Sequence, residues 1–227
     1  MTRLFIANYS ATLYNKFEVI ILNKNDYIDI INILNHTYPD AKCSLDFKTP
    51  FELVVAVMLS AQCTDERVNK TTPALFAKYP SIEDFANANI TELENIIHPC
   101  GFYKSKAKNV IGTAKKVLND FNGVVPSNMK DLLTLPGIGR KSANVIMLEV
   151  FGNAQGVAVD THCKRISNRL GLSKESDPTK IELDLIKKFP AETLKDVNHL
   201  FIYFGRDICI ARNPKCEQCP LRKFCKS

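Results

Sequence analysis

Residues 126–150 read PSNMKDLLTLPGIGRKSANVIMLEV, and the parsing of this stretch decides the fold. Ser127 is placed to cap a helix whose apolar stripe is Met129, Leu132 and Leu133. Leu135-Pro136-Gly137-Ile138-Gly139 then breaks the periodicity, and a second helix follows with Ala143, Ile146, Met147 and Val150 on one face. The pattern is helix, tight glycine turn, helix. Gly137 and Gly139 can take positive φ and let their backbone approach another molecule, while free N–H groups of the second helix point at whatever occupies the turn. With Arg140 and Lys141 directly after it, the turn suits an anion, and backbone phosphates of a nucleic acid fit without any reading of bases. A tight αα-turn that binds nothing uses the same glycines. For Lys141 phosphate contact is the plainer role. A sharper one also exists, because an ammonium at a helix N-terminus beside Arg140 sits in a positive field that favours the neutral, nucleophilic amine.

The flanking sequence is also helical. Thr49-Pro50-Phe51-Glu52 combines an N-cap, a proline at the first helical position and a carboxylate able to reach back to the cap. Thr91 and Glu94 repeat the capping-box spacing, Ser81 and Asp84 approximate it, and Asp177-Pro178 opens another helix. Valine-rich pieces such as 157–159 are too short to build a sheet, so an all-α protein is expected. The best internal boundary lies at Gly152–Gly156, where one helical pattern stops and another begins after Asp160. Asp160 itself stands where an N-cap is needed, and His162 reads as a hydrogen-bonding structural histidine.

A hydrophobic share of 45% with 24% charged residues describes a folded globular chain rather than a disordered one. Net charge is only +6, so its distribution matters more than its size. Lys104, Lys106, Lys108, Lys115 and Lys116 form a stretch without an acid, and the segment from Arg206 onward is also basic. Such runs suit a polyanion, or are simply solvated faces. Polar residues interrupt the apolar stretches before residue 25, so neither a signal peptide nor a membrane span is expected there.

The C-terminal segment concentrates cysteine at Cys209, Cys216, Cys219 and Cys225, half of the eight in the chain. Thiolates this dense, without a secretory signal, hold a soft metal or an iron-sulfur cluster rather than disulfides. One Cys-x2-Cys unit matches neither the common zinc ribbon nor the ferredoxin run, so spacing leaves zinc and iron-sulfur open. Cys43, Cys63, Cys100 and Cys163 are scattered and read as small buried residues of a reducing, cytoplasmic protein.

Leu135 to Lys141, then Val159-Asp160-Thr161-His162, then the cysteine array, together resemble the endonuclease III family, DNA glycosylases and AP lyases of the helix-hairpin-helix superfamily. The stretches 59–65 and Gly101 to Ala107 are similar to further motifs of that family, and the likeness runs from about residue 25 to the C-terminus. The resemblance implies two helical domains flanking a DNA-binding cleft. One, a six-helix barrel with the hairpin, spans 43–153; the other joins 25–42 to 154–227 and holds a 4Fe-4S cluster on Cys209, Cys216, Cys219 and Cys225. Residues 1–24 form an extension of unassigned role. The resemblance implies Lys141 as the nucleophile on the sugar C1′ and Asp160 as the group that activates it or stabilises a cationic sugar. Gln62 is similar to the residue that fills the gap left by a flipped base, and Phe102 stands at a wedge position where better-known members carry leucine. Leu135, Gly137, Gly139 and Arg140 of the hairpin would lie along DNA, as would Arg212 and Lys215 in the loop closed by the first two cysteine ligands. The expected partner is duplex DNA with damaged bases, oxidised pyrimidines above all, or abasic sites, bound by a monomer without a membrane. The rivals are an adenine glycosylase of the same superfamily, against which Lys141 argues, a non-catalytic metal-stabilised DNA-binding module, and a small electron carrier.

Overall fold

The computed structural model describes residues 22–225 and contains, in order, α1 (Lys24–Thr37), α2 (Pro50–Ser60), α3 (Asp65–Lys78), α4 (Ile82–Ala86), α5 (Ile90–Ile97), α6 (Tyr103–Phe121), α7 (Met129–Leu132), α8 (Arg140–Phe151), α9 (Thr161–Arg169), α10 (Pro178–Lys188) and α11 (Leu194–Asp207). No strand occurs among the described residues, and no described helix is long and apolar enough to cross a membrane. The extension expected over 1–24 lies outside the described residues except for its end, where Asn23 caps α1 through a reciprocal box with Asp26.

Caps fall largely where short polar side chains precede apolar runs. The Thr49 hydroxyl accepts from Glu52 N at 3.1 Å, Ser81 and Asp84 close a reciprocal box, and Asp177 caps α10 through Lys180 N. Two expected caps move. α5 is capped by Asn89, not Thr91, and α7 by Asn128, not Ser127. In both places an asparagine amide beside the hydroxyl residue reaches the free N–H groups. α7 is consequently a single turn, and Leu133, expected on its apolar stripe, is exposed.

Two hydrophobic cores result. The first gathers α2 to α8, with Leu53, Leu59, Leu75, Leu93, Val110, Leu132 and Ile146 fully buried. The second gathers α1, α9, α10, α11 and the C-terminal turns, around Ile30, Leu34, Ile166, Leu185 and Phe201. Between them run residues 157–159, which belong to no helix or strand and are all buried. Buried carbonyls need partners, and side-chain amides supply them: Asn198 donates to Ala158 O at 2.5 Å and Asn144 to Val157 O at 3.3 Å. That segment delivers Asp160 to the junction of the two cores.

Candidate active site and cluster-binding loop

In the hairpin only Gly137 has positive φ, +79°, and a Cβ there would come within 2.7 Å of Asn109 Nδ2. Gly139 is in extended backbone, so its expected left-handed conformation is not found; a Cβ would meet nothing, and the turn is open to an approaching molecule. α8 begins without a side-chain cap and with Arg140 and Lys141 in its first turn, the reverse of the acids that usually occupy that place. Its leading N–H groups remain available to an external anion. The Leu135 side chain is buried, which leaves only its backbone for a ligand in the turn.

Lys141 is exposed at the mouth of a cavity of about 350 Å³. Asp160 lines the same cavity from the other core. As N-cap of α9, Asp160 spends one oxygen on Cys163 N at 2.7 Å, so the cap and the cavity share one carboxylate. Gln62 lies on the rim, with Lys42, Ser60, Cys63, Ser142, His199 and Tyr203 among the other lining residues. Across the mouth Arg206 of α11 reaches Asp65 of α3 at 3.5 Å, and Asp65 accepts from Ser44 Oγ at 2.6 Å. His199 Nε2 lies 2.6 Å from Glu149 Oε1, a further tie between the cores. The α11 wall was not singled out in the sequence; its apolar spacing marks it as a core helix, and nothing local indicates that His199 and Tyr203 turn toward a cavity.

Arg140 differs from expectation. Its guanidinium binds Glu182 of α10 through both Nε and Nη2, at 2.5 and 3.1 Å, and Glu182 is almost wholly buried. The carboxylate holds the Arg140 cation firmly charged and compensates it, so Arg140 adds less positive field at Lys141 than its position in sequence suggests. Glu182 Oε1 also accepts from Asn144 Nδ2 at 2.8 Å, leaving Asn144 Oδ1 buried and unpaired. A Cβ on Gly156 would fall 2.1 Å from Glu182 Oε1 and 2.7 Å from Asn144 Oδ1. Glu182 thus ties α10 to α8 and holds Asn144, which carries the tie on to Val157 O in the segment leading to Asp160.

Phe102 is 62% exposed at the start of α6, and both it and Gln62 have left-handed backbone, φ +48° and +55°. Non-glycine residues are held there only by their surroundings. Of the lysine-rich stretch, Lys106 is buried and Lys116 pairs with Asp120 at 2.6 Å, so it is less of a cationic face than its sequence suggests. Of the scattered cysteines, Cys100 and Cys163 are buried as expected, but Cys43 and Cys63 line the cavity. Burial pushes the Cys43 thiol up to about 11, keeping it protonated. His162 has the structural role expected of it, with Nδ1 at 3.1 Å from Arg165 Nη2.

Cys209, Cys216, Cys219 and Cys225 surround a second cavity of about 210 Å³, floored by Leu170, Phe204 and Ile208. Burial raises the Cys219 thiol, and the thiols of Cys225, Cys209 and Cys216 raise it further. Among the described residues no three donors close on a point as one ion requires. Four thiols around a cavity with an apolar floor fit a cluster. Arg169 donates to Cys209 Sγ at 3.3 Å and to Ile210 O at 2.8 Å, and Arg165 to Cys209 O at 3.0 Å, so two cations already stand beside the first ligand. In the loop that follows, Arg212 is exposed, while Lys215 pairs with Asp207 at 3.1 Å.

Residues 55–191 match the profile of the HhH-GPD superfamily base excision DNA repair proteins, and 209–225 match the iron-sulfur binding domain of endonuclease III. Endonuclease III of Synechocystis sp. is 50% identical over 199 residues, covering 88% of this chain and 91% of the relative. The chain belongs to the endonuclease III family. Endonuclease III of Escherichia coli K12 is 38% identical over 205 residues, 90% of this chain and 97% of its own. Among solved structures, a trapped endonuclease III-DNA covalent intermediate superposes with a TM-score of 0.84 at 40% identity, covering 90% of this chain and 96% of its own. A thermostable thymine-DNA glycosylase gives 0.78 at 25% identity, covering 88% and 95%. The protein is therefore a DNA glycosylase and AP lyase of base excision repair that carries a 4Fe-4S cluster, and 209–225 is its iron-sulfur binding domain.

Proposed function

We propose that Lys141 and Asp160 carry the reaction, in a cleft between two helical domains with boundaries at 43–153 and at 25–42 with 154–227. Neutral Lys141 Nζ attacks C1′ of the damaged nucleotide as the base departs with its bonding electrons; ring opening then leaves an imine between Nζ and C1′. Loss of a C2′ proton expels the 3′-phosphate, and water releases the imine. The Asp160 carboxylate stabilises the positive charge that builds on the sugar while the base leaves. The observation that carries this reading is the shared cavity: an exposed amine and a carboxylate from separate elements line one space of about 350 Å³, on the scale of a small-ligand pocket.

Duplex DNA lies along the open hairpin, with backbone N–H groups at Gly137 and Gly139 and the first turn of α8 on phosphate. Gln62 fills the gap behind the flipped nucleotide and Phe102 wedges the opposite strand; unstacking costs a few kcal/mol, least where pairing is already damaged. Oxidised pyrimidines are the substrate class, and the protein acts inside the cell as a monomer. The 4Fe-4S cluster supplies a fixed loop rather than a reacting centre, and it presents Arg212 and Lys215 to phosphate.

Borohydride reduction with duplex containing an abasic site tests this. Wild-type protein is expected to form a covalent adduct that Lys141→Gln abolishes while still binding DNA. No adduct with wild-type protein would refute the imine.

A further inference from the structure

Lys106 belongs to a stretch that resembles a family motif, yet the reaction above gives it no role. It is buried, 6% exposed, in the first turn of α6. Its ammonium donates to Leu59 O at 2.8 Å and to Cys100 O at 2.9 Å. Leu59 lies in the last turn of α2, whose terminal carbonyls have no partner within the helix, and Cys100 ends the short turn of 98–100. The Lys106 backbone N–H also donates to Phe102 O at 3.1 Å, and Ser105 Oγ donates to the same oxygen at 2.9 Å. The residue therefore grips the Cys100–Phe102 loop from both sides and holds it to the end of α2, three positions before Gln62.

A buried ammonium costs free energy unless its donors are used, and a leucine or methionine would fill the space without that cost. The titratable groups acting on Lys106 are the thiols of Cys63 and Cys100, and burial lowers its proton affinity. The cation is held by backbone carbonyls, at two points in segments that end in exposed side chains with left-handed backbone, Gln62 and Phe102.

We propose that Lys106 is a positioning residue for duplex invasion: its ammonium sets the spacing and rigidity of the two tips, so that Gln62 and Phe102 enter the duplex together. The proposal rests on the reading that those two side chains enter DNA. It predicts a defect confined to substrates that must be opened.

The test compares wild type with Lys106→Met, which keeps the stem and leaves two carbonyls unpaired, and Lys106→Gln, which restores N–H donors without charge. The substrates are a duplex with an oxidised pyrimidine opposite 2-aminopurine and a single strand carrying an abasic site. An unpaired buried carbonyl corresponds to roughly a tenfold or larger effect, so Lys106→Met should slow single-turnover release from the duplex by about that factor, with a reduced 2-aminopurine signal. Imine trapping on the single strand should change by less than about threefold, and Lys106→Gln should fall between the two proteins. Equal losses on both substrates in both variants, or a wild-type 2-aminopurine signal in Lys106→Met, would overturn the proposal and leave a merely structural lysine. Gln62→Ala and Phe102→Ala are run in parallel. If neither has a duplex-specific defect, the reading beneath the proposal fails and the proposal with it; if both do and Lys106→Met does not, Lys106 alone is wrongly assigned.

Discussion

The first turn of α8 and the cysteine loop are both cationic, both follow from short motifs, and both lie at cavities, yet their chemistry is built in opposite ways. At α8 the outward-facing groups are left open: no side chain caps the helix, Lys141 is exposed, and Gly139 has empty space around it, while Arg140 is tied back to Glu182. Around the cysteines the groups beside the sulfurs are tied down: Arg165 and Arg169 bond to Cys209 and its neighbours and Lys215 pairs with Asp207, with Arg212 exposed further out in the loop. A reacting group must meet something external, and a structural one must already be satisfied. Substitution should therefore separate activity from stability in different directions at the two sites.

The largest effect is expected where the account is chemical. Lys141→Gln should lower lyase rate by at least about a thousandfold, the order seen when a covalent nucleophile is removed, with visible cluster absorbance and melting temperature unchanged. Cys219→Ala should do the reverse. Iron is lost, melting falls by on the order of 10 °C as the second core loosens, and activity declines only as folded protein declines. A chromophore lost in Lys141→Gln, or iron retained in Cys219→Ala, would break the comparison.

Glu182→Gln probes the tie between α10 and the helix that bears Lys141. It leaves Arg140 without its charge partner, and a loss of about 1–3 kcal/mol is expected in denaturant unfolding. Because the Asn144 amide that Glu182 holds also binds Val157 O in the segment leading to Asp160, the trapping rate should drop more than DNA affinity. Parallel declines in rate and affinity would reduce Glu182 to a packing role.

Salt dependence sharpens the comparison at the cysteine loop. Arg212→Ala should lower the slope of log affinity against log salt by about one, as for a single phosphate contact. Lys215→Ala should lower it by less, because Asp207 already offsets that charge and is itself held below the usual carboxylate range by Lys215. Equal slopes for both variants would show that the ion pair opens on DNA.

The smallest effect concerns pH. A cysteine that ionises near 8.5 when unfolded, but only at about 11 here, adds stability that is complete below the lower value and lost as pH rises through the higher one. Unfolding measured across that window should fall more steeply for wild type than for Cys43→Ala, by up to about 1.4 kcal/mol per pH unit. Identical slopes would place Cys43 in contact with water.

Much of this was legible in residue order. Apolar spacing and cap residues predicted the helical class and the hairpin, and the cysteine array announced a cluster or a metal. Motifs also singled out Lys141, Asp160 and Gln62, which come to one cavity although 98 positions separate the first and last of them. What stayed hidden depends on tertiary contact. Nothing near Arg140 indicates that Glu182, 42 positions away, neutralises it, and nothing in a run of lysines says that Lys106 points inward. The shifts from Thr91 to Asn89 and from Ser127 to Asn128 show that competing caps one or two residues apart are settled by local geometry.

The hairpin lysine, rather than another amine in the same cavity, is expected to form the bond to DNA. Lys42 lines that cavity too and is the natural competitor. Reduction of the complex with abasic duplex, digestion and mass spectrometry of the modified peptide decide between them. The deoxyribose remnant is expected on Lys141; finding it on Lys42 would contradict the account.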